Sequence, residues 1–316
     1  MQLRIRTVVD AMHGVINVLK PPGMTSHDVV QFIRRLVGQK RVGHTGTLDP
    51  GAAGVLPVCV GKATKIIQFM NHNKEYRAEV TFGTATSTQD SFGEVTETHD
   101  CSFLTLGDIC HALQYFIGEI EQIPPMTSAV KYKGKKLYEL ARAGIEVQRK
   151  TRRINIFGIR VIHSSDIGTP NPKVIMDISC SAGTYIRTLC SDLGKKLCCS
   201  AHMSFLLRTG AGPFTISSAL TLEELQEMKE QGNLSEAFMP PEQALSNLSR
   251  VEVEGMTANK ICNGNSISLP VAGAAHLQEN RWVCIQGPRG LLAIGKTVDV
   301  NQAENNIRIQ PVKVLV

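Results

Sequence analysis

Asp49 is the only carboxylate between Gly43 and Thr64, in the run GHTGTLDPGAAGVLPVCVGKAT. A single acid in such a run raises the question of catalysis, although a lone Asp in a glycine-rich turn, taken alone, reads as structural first. Its neighbours favour presentation. Gly43, Gly46, Gly51 and Gly54 admit backbone conformations closed to other residues, and Pro50 drives Asp49 out of the helical region. The expectation is an acid on a rigid, non-helical loop, projecting outward, with His44 just before it and an apolar strand at 55–60 behind it. Two duller readings compete. Asp before Pro is common in turns, where its side chain bonds its own backbone. Gly61, Lys62 and Thr64 hint at a phosphate loop, which needs a glycine five places before the Gly-Lys pair and Ser or Thr directly after the Lys. Leu56 and Ala63 occupy those positions, so the phosphate loop is excluded.

The elements that must position this loop are legible on both sides. Residues 14–19 (GVINVL) alternate and stop at Lys20-Pro21-Pro22-Gly23, a strand closed by a turn. Thr25 and Asp28 form a capping-box start for a helix over 26–37 with Val29, Val30, Ile33 and Val37 inward. A short helix is expected over 65–70, then a strand over 74–82 whose alternation puts Tyr76, Ala78 and Val80 on one face. Burial against a core is the plain reading of Tyr76. The stretch 83–100 reads as loop, 106–117 and 136–143 as helices, 153–162 and 174–180 as strands. Gly183 permits a turn into a helix over 184–197 with Ile186, Leu189, Cys190, Leu193 and Leu197 as its buried stripe. Arg187 at the start of that helix opposes the dipole, which points to a carboxylate or phosphate partner. A strand over 201–208 and an acidic helix over 222–232 follow. From about Val251 short alternating segments separated by Gly, Pro and Asn read as a small all-β domain that holds the only tryptophan, Trp282.

A chain of 316 residues accommodates one large core plus a small appended domain. No apolar run reaches transmembrane length, and the start MQLRIRTVVDAM lacks the apolar region and cleavage pattern of a secretory signal. Nine scattered cysteines with no CxxC pair argue against zinc and for a reducing cytosol. The net charge of +6 is unevenly spread: Lys131–Arg160 holds ten Lys or Arg against Glu139 and Glu146, a local +8, which leaves −2 for the remainder. Such a segment suits a polyanion, although surplus surface lysine reads equally well from charge alone.

Four stretches together resemble the TruB-type tRNA pseudouridine synthase family of bacteria: Lys20-Pro21-Pro22-Gly23-Met24-Thr25-Ser26; Gly43-His44-Thr45-Gly46-Thr47-Leu48-Asp49-Pro50 running on to Gly54-Val55-Leu56-Pro57; Ile123 through Ser128-Ala129-Val130-Lys131 to Leu137-Tyr138; and Gly183-Thr184-Tyr185-Ile186-Arg187-Thr188-Leu189 with Ala201-His202 and Leu206. They keep the family's order over most of the chain before residue 250. The resemblance implies an α+β fold: a mixed, largely antiparallel sheet with flanking helices over 1–250, plus a small barrel-like β domain of PUA type over 251–316. It implies isomerisation of the T-loop uridine of tRNA to pseudouridine, with no metal or organic cofactor.

By the same resemblance Asp49 is the nucleophile, acting at the base, at the sugar or through a glycal. Arg187 pairs with it and favours its ionised form. Tyr76, Tyr185 and Leu206 contact the base, His44 fills the gap left by the extruded nucleotide, and Lys20 and Pro21 support the floor. The segment 124–153 matches an arm that closes over the T-loop, with Lys131, Lys133, Lys135, Lys136, Arg152 and Arg153 as phosphate contacts. The partner implied is the tRNA T-arm, met by a cytoplasmic monomer with no membrane and no obligatory protein partner. Cys198 and Cys199 have no role in the family and read as packing residues. Two other classes stay open: an RNA-binding or RNA-folding protein without catalysis, and a synthase guided to other RNAs by a particle, against which the lack of long basic tails argues.

Overall fold

The computed structural model describes residues 12–270, 278–288, 290–301 and 306–315. Residues 1–11, which carry the charged opening stretch, lie outside them. The chain divides into two compact units: 1–50, 55–71 and 212–316 form one, and 51–54 with 72–211 the other.

In the first unit Gly14–Lys20 pairs antiparallel with Phe238–Met239, and Val42–His44 pairs antiparallel with 58–60 of the strand Ala53–Val60. The helix Ser26–Val37 has the expected start: Thr25 accepts from the Asp28 N–H while the Asp28 carboxylate accepts from Thr25. That reciprocal cap satisfies two donors a helix otherwise leaves open. The helix ends on Gly38 in the left-handed region (φ +67°), so Leu36 rather than Val37 completes the buried face. Val29, Val30, Ile33 and Leu36 pack with Ile16, Val18, Leu56, Val58, Val60, Leu222 and Leu225. The expected helix at 65–70 is instead two short 3-10 turns, Gly61–Lys65 and Ile67–Phe69, too few residues for an α-helical ladder to repeat.

The same unit carries the C-terminal sheet, in the order Ser249–Glu252, Trp282–Gly287, Gly290–Asn301, Asn306–Val314, Ile267–Pro270. Only the first pair is parallel. The all-β expectation needs one correction: Gly255–Cys262 is a helix, and Ile261 on it joins the core of Val251, Val283, Ile285, Ala293, Ile307 and Ile309. Trp282 meets Phe69 edge to face at 5.0 Å between ring centroids.

The second unit is an antiparallel sheet in the order Ala201–Ala211, Lys74–Phe82, Lys173–Cys180, Arg152–Ser165, Gly118–Gln122. Ala53 and Gly54 add a parallel pairing to Leu207 and Arg208. Gly54 has φ +119°, and a Cβ there would run into the Arg208 backbone, so glycine is required on both counts. Of the other glycines in the loop none has positive φ. The helix Ile186–Lys196 packs on Ala201–Ala211, with Ile186, Leu189, Cys190 and Leu193 buried as the stripe predicts and Leu197 half-buried. The stretch read as loop at 83–100 contains a small hairpin, Thr84–Thr86 with Val95–Thr98. The helix expected over 106–117 stops at Gln114. Cys198 is a second correction: it is exposed, in the left-handed region at φ +54° just past the helix, while Cys199 is buried. Among the described residues no helix is long and apolar enough to cross a membrane.

Candidate functional site

Asp49 sits between two neighbours fixed from the same short motif. Leu48 donates its N–H to Ser26 Oγ at 2.8 Å and accepts from it through its carbonyl at 3.1 Å. The Pro50 carbonyl accepts from the Gly23 N–H at 2.9 Å and from Lys20 Nζ at 3.2 Å. Lys20 is fully buried, and its ammonium also donates to the Pro21 carbonyl at 2.8 Å. A buried cation is tolerated only where oxygens replace its water, so this lysine is committed to the backbone on both sides of the turn. The stretch Lys20 to Ser26 thus grips the residue before Asp49 and the residue after it. Asp49 itself is half-buried.

His44 ends the strand Val42–His44 and is half-buried. The Gly46 N–H donates to its Nδ1 at 3.2 Å, which places the ring proton on Nε2. This is the backbone-bonded loop histidine of the plain reading, and the bond also fixes the plane of the ring. Lys20, Pro21, His44 and Asp49 all belong to the first unit.

Tyr76, Tyr185, Arg187 and Leu206 belong to the second. Tyr76 is buried and stands opposite Arg208 in the sheet register, with Leu206 opposite Ala78 on the same pair of strands. Arg208 is almost completely buried. Burial pushes its guanidinium below the ordinary arginine range, and a hydrogen bond to Tyr76 opposes that shift. Tyr185 is held through its backbone: Gln122 Oε1 accepts from its N–H at 2.8 Å, and Gln122 Nε2 donates to its carbonyl at 2.9 Å. That clamp precedes the first helical turn and fixes the backbone that carries the half-buried phenol ring.

Arg187 is buried and ties three segments together. Its Nη1 donates to the Thr88 carbonyl at 3.1 Å and to Thr127 Oγ1 at 2.5 Å, its Nη2 donates to the Thr127 carbonyl at 3.2 Å, and Asp90 Oδ2 lies 3.6 Å away. The carboxylate that its position at a helix start called for therefore includes Asp90, a residue the sequence reading passed over inside an apparent loop. Thr88 and Asp90 bond each other, and Thr188 donates to Gln89 at 2.9 Å. Gln122 and Arg208 were missed as well. A strand glutamine and a strand arginine carry no local signal of burial.

Lys131–Tyr132 and Lys135–Lys136 pair as a hairpin across Lys133 and Gly134, both at positive φ (+46° and +88°). Lys131, Lys133 and Lys135 are exposed, whereas Lys136 is half-buried with Nζ 3.3 Å from the Tyr138 hydroxyl. Arg152 and Arg153 are exposed at the start of Arg152–Ser165, and Arg153 pairs with Glu119 at 3.6 Å. Among the described residues no group of His, Cys, Asp and Glu is arranged to hold a metal ion.

Residues 34–186 match the family described as TruB family pseudouridylate synthase (N terminal domain), and 187–246 match the tRNA pseudouridylate synthase B C-terminal domain. The chain is 48% identical to a tRNA pseudouridine synthase B of Pelotomaculum thermopropionicum, over 96% of this chain and 97% of that one. It is 53% identical to a tRNA pseudouridine synthase B of Symbiobacterium thermophilum over 79% and 82% of the two chains. A chain in the crystal structure of a Cbf5-Nop10-Gar1 complex superimposes with a TM-score of 0.73 at 30% identity, covering 96% of this chain and 85% of that one.

Proposed function

Because the chain belongs to the TruB family of pseudouridylate synthases, we propose that it converts the T-loop uridine of tRNA to pseudouridine, with Asp49 as the nucleophile. The bond from uracil N1 to ribose C1′ breaks and a bond from C5 to C1′ forms; C5 loses its proton and N1 gains one. The balance needs no redox partner and no water. Asp49 opens the sequence by adding at C6, by attacking C1′ or by promoting a glycal. Each route requires a carboxylate close to a uridine removed from its stack.

The observation that carries this reading is the grip on Asp49: its two neighbours are pinned by Ser26, Gly23 and Lys20. Such pinning lowers the cost of bringing the acid into register with a reacting atom. Arg187, locked by Thr88 and Thr127, supplies the positive charge that keeps Asp49 ionised. Tyr76, Tyr185 and Leu206 line the base pocket, and the flat ring of His44 takes the space vacated in the T-loop. Lys20 and Pro21 support the loop. Lys131, Lys133, Lys135, Lys136, Arg152 and Arg153 meet phosphates, and residues 251–316 form a PUA-like RNA-binding domain. The enzyme works as a cytoplasmic monomer without a guide particle. Similarity at 48% and 53% identity to two bacterial enzymes called tRNA pseudouridine synthase B supports tRNA as the substrate, over the RNA of an assembly like the Cbf5-Nop10-Gar1 complex.

The test is incubation with one unmodified tRNA transcript and mapping of any pseudouridine. Wild type converts the T-loop uridine. Asp49→Asn and Asp49→Ala bind the transcript and convert none of it; substantial turnover in either overturns the nucleophile assignment. Binding without turnover in wild type leaves the non-catalytic RNA-binding reading.

A further inference from the structure

Phe92 is an aromatic side chain out of place. It is 79% exposed, at a position where folding gains almost nothing from it. A ring exposed on a loose loop would mean little, but this one stands on a tightly bonded turn. Asp90 Oδ1 accepts from the Phe92 N–H at 3.1 Å and from Thr88 Oγ1 at 2.5 Å, and the Gly93 N–H reaches the Asp90 carbonyl at 3.4 Å. Ser87 and Glu94 close the turn, through Ser87 N–H to the Glu94 carbonyl at 2.9 Å and Glu94 N–H to Ser87 Oγ at 3.1 Å. Gly93 is required, since a Cβ there would collide with Thr88.

Two contacts say what this turn is next to. One edge of the Phe92 ring lies on Gly51, so close that a Cβ at 51 would overlap the ring at Cε2 and Cζ. Gly51 is the second residue after Asp49. From the other side, Arg187 holds Thr88 and Asp90 of the same turn together with Thr127, where the chain enters the basic hairpin. One rigid knot therefore joins the root of the basic arm, the head of the Tyr185–Arg187 helix and an exposed ring seated on the backbone that follows Asp49.

We propose that Phe92 is a stacking platform for an unpaired base of the RNA substrate, next to the uridine that Asp49 attacks and distinct from it. The inference rests on the pseudouridine synthase reading given above. A nucleic-acid base fits the observations better than an apolar protein surface. In the sequence of the turn the ring is flanked by the polar residues Ser87, Thr88, Gln89, Asp90, Ser91 and Glu94, and the one other large exposed apolar side chain nearby in sequence is Val95, too small a surface for a protein partner. Stacking on one aromatic needs no apolar patch, and the flanking arm supplies phosphate contacts. Stacking accepts any base, so Phe92 contributes affinity and register while Tyr76 and Tyr185 meet the reacting uracil. Gly51 is part of the device, because its lack of a Cβ leaves room for the edge of the ring against the loop while the faces stay open to solvent.

The experiment uses the full chain and an unmodified T-arm stem-loop transcript. F92A weakens binding of that transcript about tenfold, as loss of one stacked base does, and F92W restores it. A second readout separates stacking from general support of the turn. In a W282F background, where Trp282 has been replaced conservatively against Phe69, F92W carries the one indole, and its fluorescence is quenched as the transcript binds. Binding by F92A within twofold of wild type overturns the proposal. So does an unquenched indole at saturating RNA, or quenching that follows protein concentration without RNA, which marks self-association. If wild type binds but fails to convert tRNA, the synthase reading falls by itself, and the stacking result still reports on Phe92.

Discussion

Lys74 is a cation buried in the sheet. It is buried on the inward face of its strand, two positions before Tyr76, opposite Cys180 on one side and Ala211 on the other, and its Nζ has no hydrogen-bond partner. Burial, with the Arg208 charge nearby, pushes its ammonium down to about 8. The unfolded lysine keeps its ordinary value near 10.4. Between those two pH values the unfolded chain binds more protons than the folded one, so this group makes stability rise with pH across that window. Below about 8 the lysine is charged in both states and the full cost of burying it remains. Lys74→Met is therefore expected to stabilise the protein at pH 7 by ~3 kcal/mol, from about 1.4 kcal/mol per unit of displacement, and to lose most of that advantage by pH 10.5. Urea denaturation of both proteins at the two pH values checks it; an equal gain at both would show packing rather than charge. Alternation alone puts position 74 on the same face as Tyr76, Ala78 and Val80, but a lysine is read as surface by default. Arg208 was hidden by the same habit. The residues legible in advance were those with a local peculiarity: an acid alone among glycines, and an arginine at the wrong end of a helix.

At the scale of elements, the stretch from Lys20 to Ser26 has two jobs. Thr25 caps the helix it starts, and Ser26, one residue on, faces the other way and closes on Leu48. Removing the Ser26 hydroxyl leaves two buried backbone groups without their partner. Ser26→Ala should cost about 1–3 kcal/mol of stability and lower the single-turnover rate of pseudouridine formation, because the loop that carries Asp49 loses one of its pins. Thermal melting and a rapid-quench assay on a tRNA transcript measure the two effects; a rate unchanged in a destabilised protein would show that the grip is only structural. The cap was legible because its signature is local. The Ser26–Leu48 bond was not, since nothing in either sequence neighbourhood announces a partner 22 residues away. The errors among elements have the same origin. The hairpins at Thr84–Thr86 with Val95–Thr98 and at Lys131–Tyr132 with Lys135–Lys136 are too short for alternation to show. Gly255–Cys262 is a short helix within a run of strands, and its periodicity was drowned by theirs.

For the whole molecule, the uneven charge is the property with a solution consequence. A net +6 with a local +8 at Lys131–Arg160 should make tRNA binding steeply dependent on salt. The exposed Lys131, Lys133 and Lys135 sit on a hairpin whose turn takes positive φ at both central residues, the geometry that suits a tight two-residue connection. Replacing all three with Gln should lower the slope of log affinity against log salt by about 2, from ~0.7 per neutralised phosphate. Filter binding between roughly 50 and 300 mM salt gives the answer; an unaltered slope would remove the hairpin from the RNA contact. The change of rhythm near residue 250, where short alternating segments replace helical stripes, is the sequence's own case for a separate C-terminal β domain; the two compact units divide elsewhere, at 50–55, 71–72 and 211–212. One thiol has a practical side. Of the nine cysteines, Cys198 alone is exposed, just past its helix on a left-handed backbone, with Cys110 and Cys262 half-buried and the others enclosed. A maleimide dye offered briefly at neutral pH will therefore mark the protein at a single chosen address, and energy transfer from that address to a fluorophore on the RNA can follow each docking event as it happens.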